Sequence, residues 1–223
     1  MNLRLVVFDV DGTLVDSQAD IVASVTEAFI TQEREAPSRS LIVSTIGMSL
    51  PATMARLAPD SGADGVDALV EAYKQSYMRR RAETGSRHSS PLFPGARDML
   101  DQLNAQPETL LAVATGKSRR GLRILIEGHG LGGLFQSHQC ADDHPSKPHP
   151  SMLLAALSET GIAAQDAVMV GDTTYDRDMA AAAGVAFIGV SWGYHPATHL
   201  GTPVINSFAA LPDALAEIWS NRA

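Results

Sequence analysis

The chain has 223 residues, of which 45% are hydrophobic, so it can bury a sizeable core as one large domain or as a domain with a smaller insertion. Its 17 basic and 25 acidic residues give a net charge of −8, which argues against nonspecific nucleic-acid binding. The single cysteine, Cys140, excludes an internal disulfide and a cysteine-based metal site. Because the first apolar run is short and no later one reaches spanning length, we expect a cytoplasmic protein with no membrane segment.

An apolar run over residues 3–8 predicts a buried parallel strand, and the acidic motif DVDGT follows it directly. Open α/β sheets bind ligands at the carboxyl ends of their strands, so Asp9 and Asp11 are site candidates. An Asp-Gly turn is the plain structural alternative. An EF-hand loop is disfavoured, because a strand precedes the motif and Gly12 comes too early in it. Two carboxylates this close need a cation.

The next segment is helical in pattern and shows no strand alternation. A single crossover helix would be enough to join two parallel strands, so several helices in a row indicate an insertion. We therefore predict a helical cap domain over residues 17–91, inserted into a core made of residues 1–16 and 92–223. The predicted cap helices cover 17–33, 41–46, 50–57 and 66–82.

From residue 93 onward, strand and helix patterns alternate as in a doubly wound sheet. The strands are predicted over 110–114, 137–140, 168–170, 185–190 and near Val204. The helices are predicted over 96–104, 119–127, 151–160, 176–183 and 209–220. The expected fold class is α/β, with a Rossmann-like, doubly wound and mainly parallel sheet as the core.

Polar residues follow four of the predicted strands, and a parallel sheet brings such strand ends to one edge. They are Asp9 and Asp11 after the first strand, Thr115 and Gly116 after the second, Lys147 after the third and Asp172 after the fourth. Carboxylates, a hydroxyl, a lysine and a backbone turn together suit a phosphoryl group bound to Mg²⁺, which prefers oxygen ligands. We therefore expect a phosphate site with Mg²⁺ as the cofactor.

Four motifs in this order resemble the haloacid dehalogenase superfamily of aspartate-nucleophile phosphatases. They are DVDGT at 9–13, ATGK at 114–117, KPHP at 147–150 and GDTTYD at 171–176. The helical insertion resembles the α-helical cap type of this family, and the segment GVSWGYH at 189–195 resembles its phosphoglycolate phosphatase branch. Haloacid dehalogenation itself is disfavoured, because that branch lacks the second aspartate and Asp11 is present.

The resemblance implies a role for each residue of the first two motifs. Asp9 would attack phosphorus, form an aspartyl phosphate and bind the metal. Asp11 would act first as general acid and then as general base, while its backbone carbonyl binds the metal. The Thr115 side chain and the Gly116 amide would hold the phosphoryl oxygens.

The resemblance also assigns the later motifs. Lys147 would neutralise charge on the nucleophile and on the phosphoryl group, and Asp172 would be a further side-chain ligand of the metal. Asp176 would orient metal-bound waters or Lys147 from behind the ligands, or it would only complement a helix N-terminus. Lys117 is either a further phosphate contact or an exposed loop lysine. The arginines at 79–81 either meet a substrate anion or form a solvated face.

These expectations combine into a Mg²⁺-dependent phosphomonoester hydrolase acting on a small phosphorylated metabolite, with phosphoglycolate and sugar phosphates as candidate substrates. A pyrophosphatase and a phosphomutase are alternatives that would use the same core residues. A non-enzymatic regulatory or binding module is disfavoured, because it has no reason to hold so many like charges together. No nucleic-acid or membrane partner is expected, and monomer and homodimer both stay open.

Overall fold

Six parallel strands form one sheet in the computed structural model, which describes residues 3–220. The strand order is β3-β2-β1-β4-β5-β6, so the first strand in sequence lies near the middle of the sheet. The strands are β1 Arg4–Phe8, β2 Thr109–Thr115, β3 Ser137–Cys140, β4 Ala167–Gly171, β5 Ala186–Val190 and β6 Val204–Ile205. This arrangement confirms the predicted α/β class.

The register of the three central strands brings their carboxyl ends to the same level. Phe8 at the end of β1 lies opposite Val113 of β2 on one side and Val170 of β4 on the other. The amide of Asp9 continues this pairing and donates a hydrogen bond of 2.9 Å to the Val170 carbonyl. Residues that follow these strands therefore share one edge of the sheet.

Two layers of helices cover the sheet, and alternation along the strands decides which side chain meets which layer. Val6 and Phe8 face one apolar cluster, whereas Leu5 and Val7 face the other. The first cluster is completed by α6 Ala96–Asn104, α7 Arg119–His129 and α10 Leu211–Ser220, and the second by α8 Ser151–Thr160 and α9 Thr174–Ala183.

The helices between β1 and β2 build a third apolar cluster of their own, which includes Val25, Met54 and Leu69. They are α1 Gln18–Thr31, α2 Arg39–Val43, α3 Leu50–Leu57, α4 Gly62–Thr84 and α5 Ser86–Ser89. The sequence pattern missed the short α5 and placed the start of α4 four residues late, because the first turn of α4 contains Gly62 and Gly65, which are typical of a loop. The domain boundaries stay a prediction.

Among residues 3–220, no helix combines the length and the apolar character that crossing a bilayer requires. The expected cytoplasmic location stays a prediction.

The layered core makes a stability prediction. Leu111 in β2 is fully buried, so Leu111→Ala removes apolar contacts and leaves a cavity, and we expect unfolding to become easier by about 2–5 kcal/mol. Urea denaturation followed by circular dichroism measures this change. Leu154→Ala, on the half-exposed side of α8, is the matched control and is expected to cost about 0.5 kcal/mol or less. Equal losses in the two variants would contradict the layer assignment.

Candidate active site

The sequence-predicted site residues meet at the carboxyl edge of the sheet. Asp9 follows β1, Thr115 ends β2, and Asp172 follows β4, so the strand register places them side by side. Lys147 reaches the same place from the loop after β3 and is 1% exposed. Asp176 joins them from the first turn of α9 and is fully buried.

The ammonium of Lys147 bridges two of the buried carboxylates. Its Nζ donates a hydrogen bond of 2.6 Å to Oδ1 of Asp9 and one of 2.7 Å to Oδ1 of Asp176. Both carboxylates raise the pKa of Lys147, which keeps the lysine charged although burial favours its neutral form. The lysine therefore orients Asp9 and supplies a fixed positive charge beside it.

Oδ2 of Asp9 is buried and has no hydrogen-bond partner within residues 3–220. Burial, aided by the nearby Asp176 and Asp11 charges, raises the pKa of Asp9 to about 7 despite the opposing effect of Lys147. Ligand oxygens of Asp9, Asp172 and Asp176 all lie within 4.8 Å of one another. An oriented carboxylate with one open oxygen can bind a cation or attack an electrophile.

Asp172 is held from two distant parts of the chain. Its Oδ1 accepts a hydrogen bond of 3.0 Å from the Thr13 hydroxyl, and its Oδ2 accepts one of 2.8 Å from the Tyr194 amide. Gly12 has φ of +91°, and a Cβ there would lie 2.2 Å from Oδ2 of Asp172. The turn after β1 therefore requires glycine, both for its backbone angle and for this close approach. Burial and the charge of Asp9 raise the pKa of Asp172 well above its usual range.

Asp176 both contacts Lys147 and caps a helix, which correspond to the two alternatives for this residue. Its Oδ2 accepts hydrogen bonds from the Thr173 amide (3.1 Å) and hydroxyl (2.6 Å), while the hydroxyl of Thr173 also accepts from the Asp176 amide. This reciprocal pair is a capping box at the start of α9. The other oxygen of Asp176, Oδ1, accepts the hydrogen bond from Lys147. The capping box therefore fixes the carboxylate that positions the lysine.

Asp11 lies outside the buried carboxylate cluster and faces a different set of groups. Oδ1 of Asp11 forms an ion pair of 2.7 Å with Lys117 and accepts a short hydrogen bond from the Ser17 hydroxyl. Ser17 precedes α1 but makes no capping hydrogen bond with its side chain, because that hydroxyl is used by Asp11. The Ser17 amide in turn donates a 2.9 Å hydrogen bond to the Tyr194 hydroxyl. The role of the Asp11 carbonyl as a metal ligand stays a prediction.

Lys117 is a partly enclosed lysine and not an exposed one. Its side chain is only 9% exposed, and its Nζ lies 5.6 Å from the centre of the Tyr77 ring on α4. The Lys117 amide donates a hydrogen bond of 3.2 Å to the Thr115 hydroxyl. Lys117, in the loop after β2, therefore contacts both Thr115 at the end of β2 and Asp11 in the turn after β1.

The loop after β2 also touches the helical segment directly. A Cβ on Gly116 would lie 2.4 Å from the Met48 carbonyl, so only glycine allows this approach. The Ser49 amide donates a 2.8 Å hydrogen bond to the Ser146 hydroxyl, and the Tyr175 hydroxyl donates one of 2.9 Å to the Ser44 carbonyl. The turn over 44–49 thus covers the site.

The arginines at 79–81, for which a substrate contact and a solvated face were the alternatives, divide into two groups. Arg79 and Arg80 form ion pairs with Glu27 on α1, and these pairs explain their positions without a substrate contact. Arg81 lines a cavity of about 880 Å³ that extends outward from Asp9.

Sequence reasoning missed two residues of this network, Ser17 and Tyr194. The Ser17 hydroxyl donates to Asp11, six residues earlier, and the Tyr194 amide donates to Asp172, 22 residues earlier. Tyr194 lies inside the segment GVSWGYH, so the family resemblance marked the right stretch without assigning it a contact. The Thr13 hydroxyl likewise has a long-range partner, Asp172, which is 159 residues away.

Comparisons with known proteins agree with this geometry. A model of the family "Haloacid dehalogenase-like hydrolase" matches residues 6–190. The probable phosphatase IndB of Dickeya dadantii is 39% identical over 97% of this chain and 90% of its own length. A phosphoglycolate phosphatase of Pectobacterium atrosepticum is 31% identical over 93% and 90%.

Solved structures show the same fold. A hydrolase from Pseudomonas syringae superposes with a TM-score of 0.83 at 24% identity, covering 98% of this chain and 99% of that one. The motifs predicted the family correctly: the chain belongs to the haloacid dehalogenase-like hydrolases, and it is a phosphatase of that family.

Proposed function

We propose that the protein is a Mg²⁺-dependent phosphomonoester hydrolase that works through an aspartyl-phosphate intermediate on Asp9. The observation that carries this proposal is the buried carboxylate of Asp9, fixed through one oxygen by Lys147 and open at the other. A carboxylate oriented in this way can attack phosphorus and divide one difficult displacement into two easier ones.

The carboxylate cluster fits a divalent cation. Three carboxylates, those of Asp9, Asp172 and Asp176, lie within 4.8 Å of one another, and within residues 3–220 the one ammonium bonded among them is that of Lys147. The ionised cluster therefore has an excess of two negative charges, and Mg²⁺ accepts the oxygen ligands it offers. We propose Asp9 and Asp172 as side-chain ligands. The bound Mg²⁺ would offset the repulsion between Asp9 and an anionic ester.

In the first step, an Asp9 oxygen would form a bond to phosphorus as the ester P–O bond breaks. Asp11, which lies outside the cluster and lines the cavity, would have to be protonated when the substrate is bound, and it would then give that proton to the leaving alkoxide. In the second step, Asp11 would take a proton from water, which attacks the phosphorus and releases phosphate and Asp9. The Thr115 hydroxyl, the Gly116 amide and Lys147 would stabilise the phosphoryl oxygens.

The helical segment over 17–91 would act as a cap over this chemistry. Its turn at 44–49 rests on Gly116, Ser146 and Tyr175, so a bound substrate would be closed in from above. Closure excludes water and bulky molecules until a fitting substrate is bound. We therefore propose a small phosphorylated metabolite as substrate. The Pectobacterium relative is named a phosphoglycolate phosphatase, so 2-phosphoglycolate is the first compound to test, and sugar phosphates follow.

A phosphate-release screen tests the proposed function. Phosphomonoesters, pyrophosphate and a phosphopeptide are compared with and without Mg²⁺, and we expect Mg²⁺-dependent hydrolysis of the small esters. Preferred hydrolysis of pyrophosphate or the phosphopeptide would overturn the assignment, as would activity that persists in excess chelator.

Replacement of the nucleophile gives the most direct prediction. Asp9→Asn keeps the size of the side chain but removes the nucleophilic carboxylate, so steady-state turnover is expected to fall at least about 10³-fold. Phosphate release and a thermal melt measure activity and folding together. Asp178→Asn, which removes a half-exposed carboxylate paired with Arg177, is the matched control and keeps near-normal turnover. Substantial activity of Asp9→Asn would rule out the covalent route.

The raised pKa of Asp9 predicts how Mg²⁺ affinity depends on pH. Below about pH 7 the folded, metal-free protein holds a proton on Asp9, and Mg²⁺ must displace it to use this carboxylate. Asp172, the other proposed ligand, also has a raised pKa, so affinity should rise as the pH increases through neutrality because Mg²⁺ must displace protons from both carboxylates. Calorimetric titration of Mg²⁺ at several pH values measures this. Asp9→Asn should make the dependence less steep, and a slope that this variant leaves unchanged would contradict the assignment of Asp9 as a ligand.

A further inference from the structure

The cavity next to Asp9 is where the leaving group of a substrate must lie. Asp9 and Asp11 form its inner end together with Gly116, and side chains of α4 form its opposite wall. An ester whose phosphorus contacts Asp9 and whose bridging oxygen contacts Asp11 therefore extends its alcohol part into this space.

The cavity is far larger than a glycolate leaving group requires. Its volume of about 880 Å³ is near the upper end of the range of about 300–1,000 Å³ that holds drug-sized ligands. Glycolate has only two carbons, so most of the space would stay filled with water. The apolar part of the walls would then contribute little to binding.

The walls are mainly apolar, which favours an apolar body over a small polyhydroxylated one. Helices α1 and α4 and the turn over 44–49 supply this surface. The apolar lining includes Ile21, Val25, Ile46, Leu50, Val70 and Met78.

Two aromatic rings stand beside the general acid. Tyr73 and Tyr77 stack with their centroids 5.6 Å apart and their planes 17° from parallel. The Asp11 charge is close enough to Tyr73 to raise its pKa further, after burial and Tyr77, and Lys117 connects Asp11 to the Tyr77 ring. A ring attached a few bonds from the ester oxygen would therefore meet these aromatic groups, which favour stacked or edge contacts with other rings.

We infer that the substrate is a phosphomonoester whose leaving alcohol carries a planar, largely apolar ring that packs against Tyr73 and Tyr77. This inference rests on the proposed phosphomonoester hydrolysis and narrows its substrate class.

The test compares esters that differ in the ring alone. Ethyl phosphate and 2-phenylethyl phosphate both release a primary alkoxide, and 2-phosphoglycolate is the third substrate. We expect kcat/KM with Mg²⁺ to be at least about tenfold higher for the phenylethyl ester than for either of the others, because the ring buries apolar surface. The wild-type comparison needs no variant and decides the question even if a variant fails to fold.

Variants then locate the preference. Tyr73→Leu and Tyr77→Leu remove a ring but keep an apolar side chain, and each should lower the phenylethyl-to-ethyl ratio of kcat/KM about three- to tenfold. Tyr73→Phe and Tyr77→Phe keep the ring and should keep the ratio. Gln75→Ala changes an exposed residue of α4 that contacts Glu71, and it should leave the ratio within about twofold of wild type.

The outcomes separate the two proposals. Three outcomes would overturn the ring assignment and leave the proposed phosphatase activity intact. They are equal kcat/KM for the phenylethyl and ethyl esters, a preference for 2-phosphoglycolate, and a phenylethyl-to-ethyl ratio that neither leucine variant changes. Failure to release phosphate from any of the three esters would instead overturn the proposed function.

Discussion

The buried ammonium of Lys147 is the interaction on which the rest of the site depends. Taking a lysine and two carboxylates out of water costs several kcal/mol for each charge, and only close, well-formed pairing offsets it. The contacts of 2.6 Å to Asp9 and 2.7 Å to Asp176 supply that pairing. Removal of one partner would leave an uncompensated buried charge. The positions of Asp9, Lys147 and the capping box of α9 therefore depend on one another.

This arrangement explains why the cluster lies at the end of a parallel sheet. Lys147 is 138 residues from Asp9 and 29 from Asp176, and these groups meet because β1 and β4 are hydrogen-bonded neighbours. The backbone of the strands satisfies its own hydrogen bonds, which leaves the side chains beyond the strand ends to be fixed by one another. A rigid framework thus carries a set of charges that would repel one another elsewhere.

The strand ends, and therefore the identities of the main site residues, could be predicted from the sequence. An apolar run followed by acidic residues is a local pattern, and the parallel order of the strands follows from the alternation with helices. Side-chain partners could not be predicted in the same way. The hydroxyl of Ser17 had two local choices, to cap α1 or to bind Asp11, and the choice depends on how the turn after β1 is oriented.

The same limit explains Asp176, for which a contact to Lys147 and a helix cap were alternatives although the structure contains both contacts. A carboxylate has two oxygens, and here one closes the capping box while the other holds Lys147. Sequence spacing gives the position of such a residue at a helix start but not the direction of its second oxygen. That direction depends on the long-range approach of the loop that carries Lys147.

The sheet edge and the helical segment over 17–91 supply different parts of the proposed site and contact each other there. The sheet edge fixes the carboxylates and Lys147, whereas the helices over 17–91 supply the two tyrosines and most of the apolar wall. The contact between Gly116 and the Met48 carbonyl joins the two parts directly at the proposed phosphoryl site. Because a side chain at position 116 would force them apart, the loop after β2 is also a point where the position of the helical segment is set. A change of alcohol can therefore be accommodated on the helices while the charges at the sheet edge stay the same.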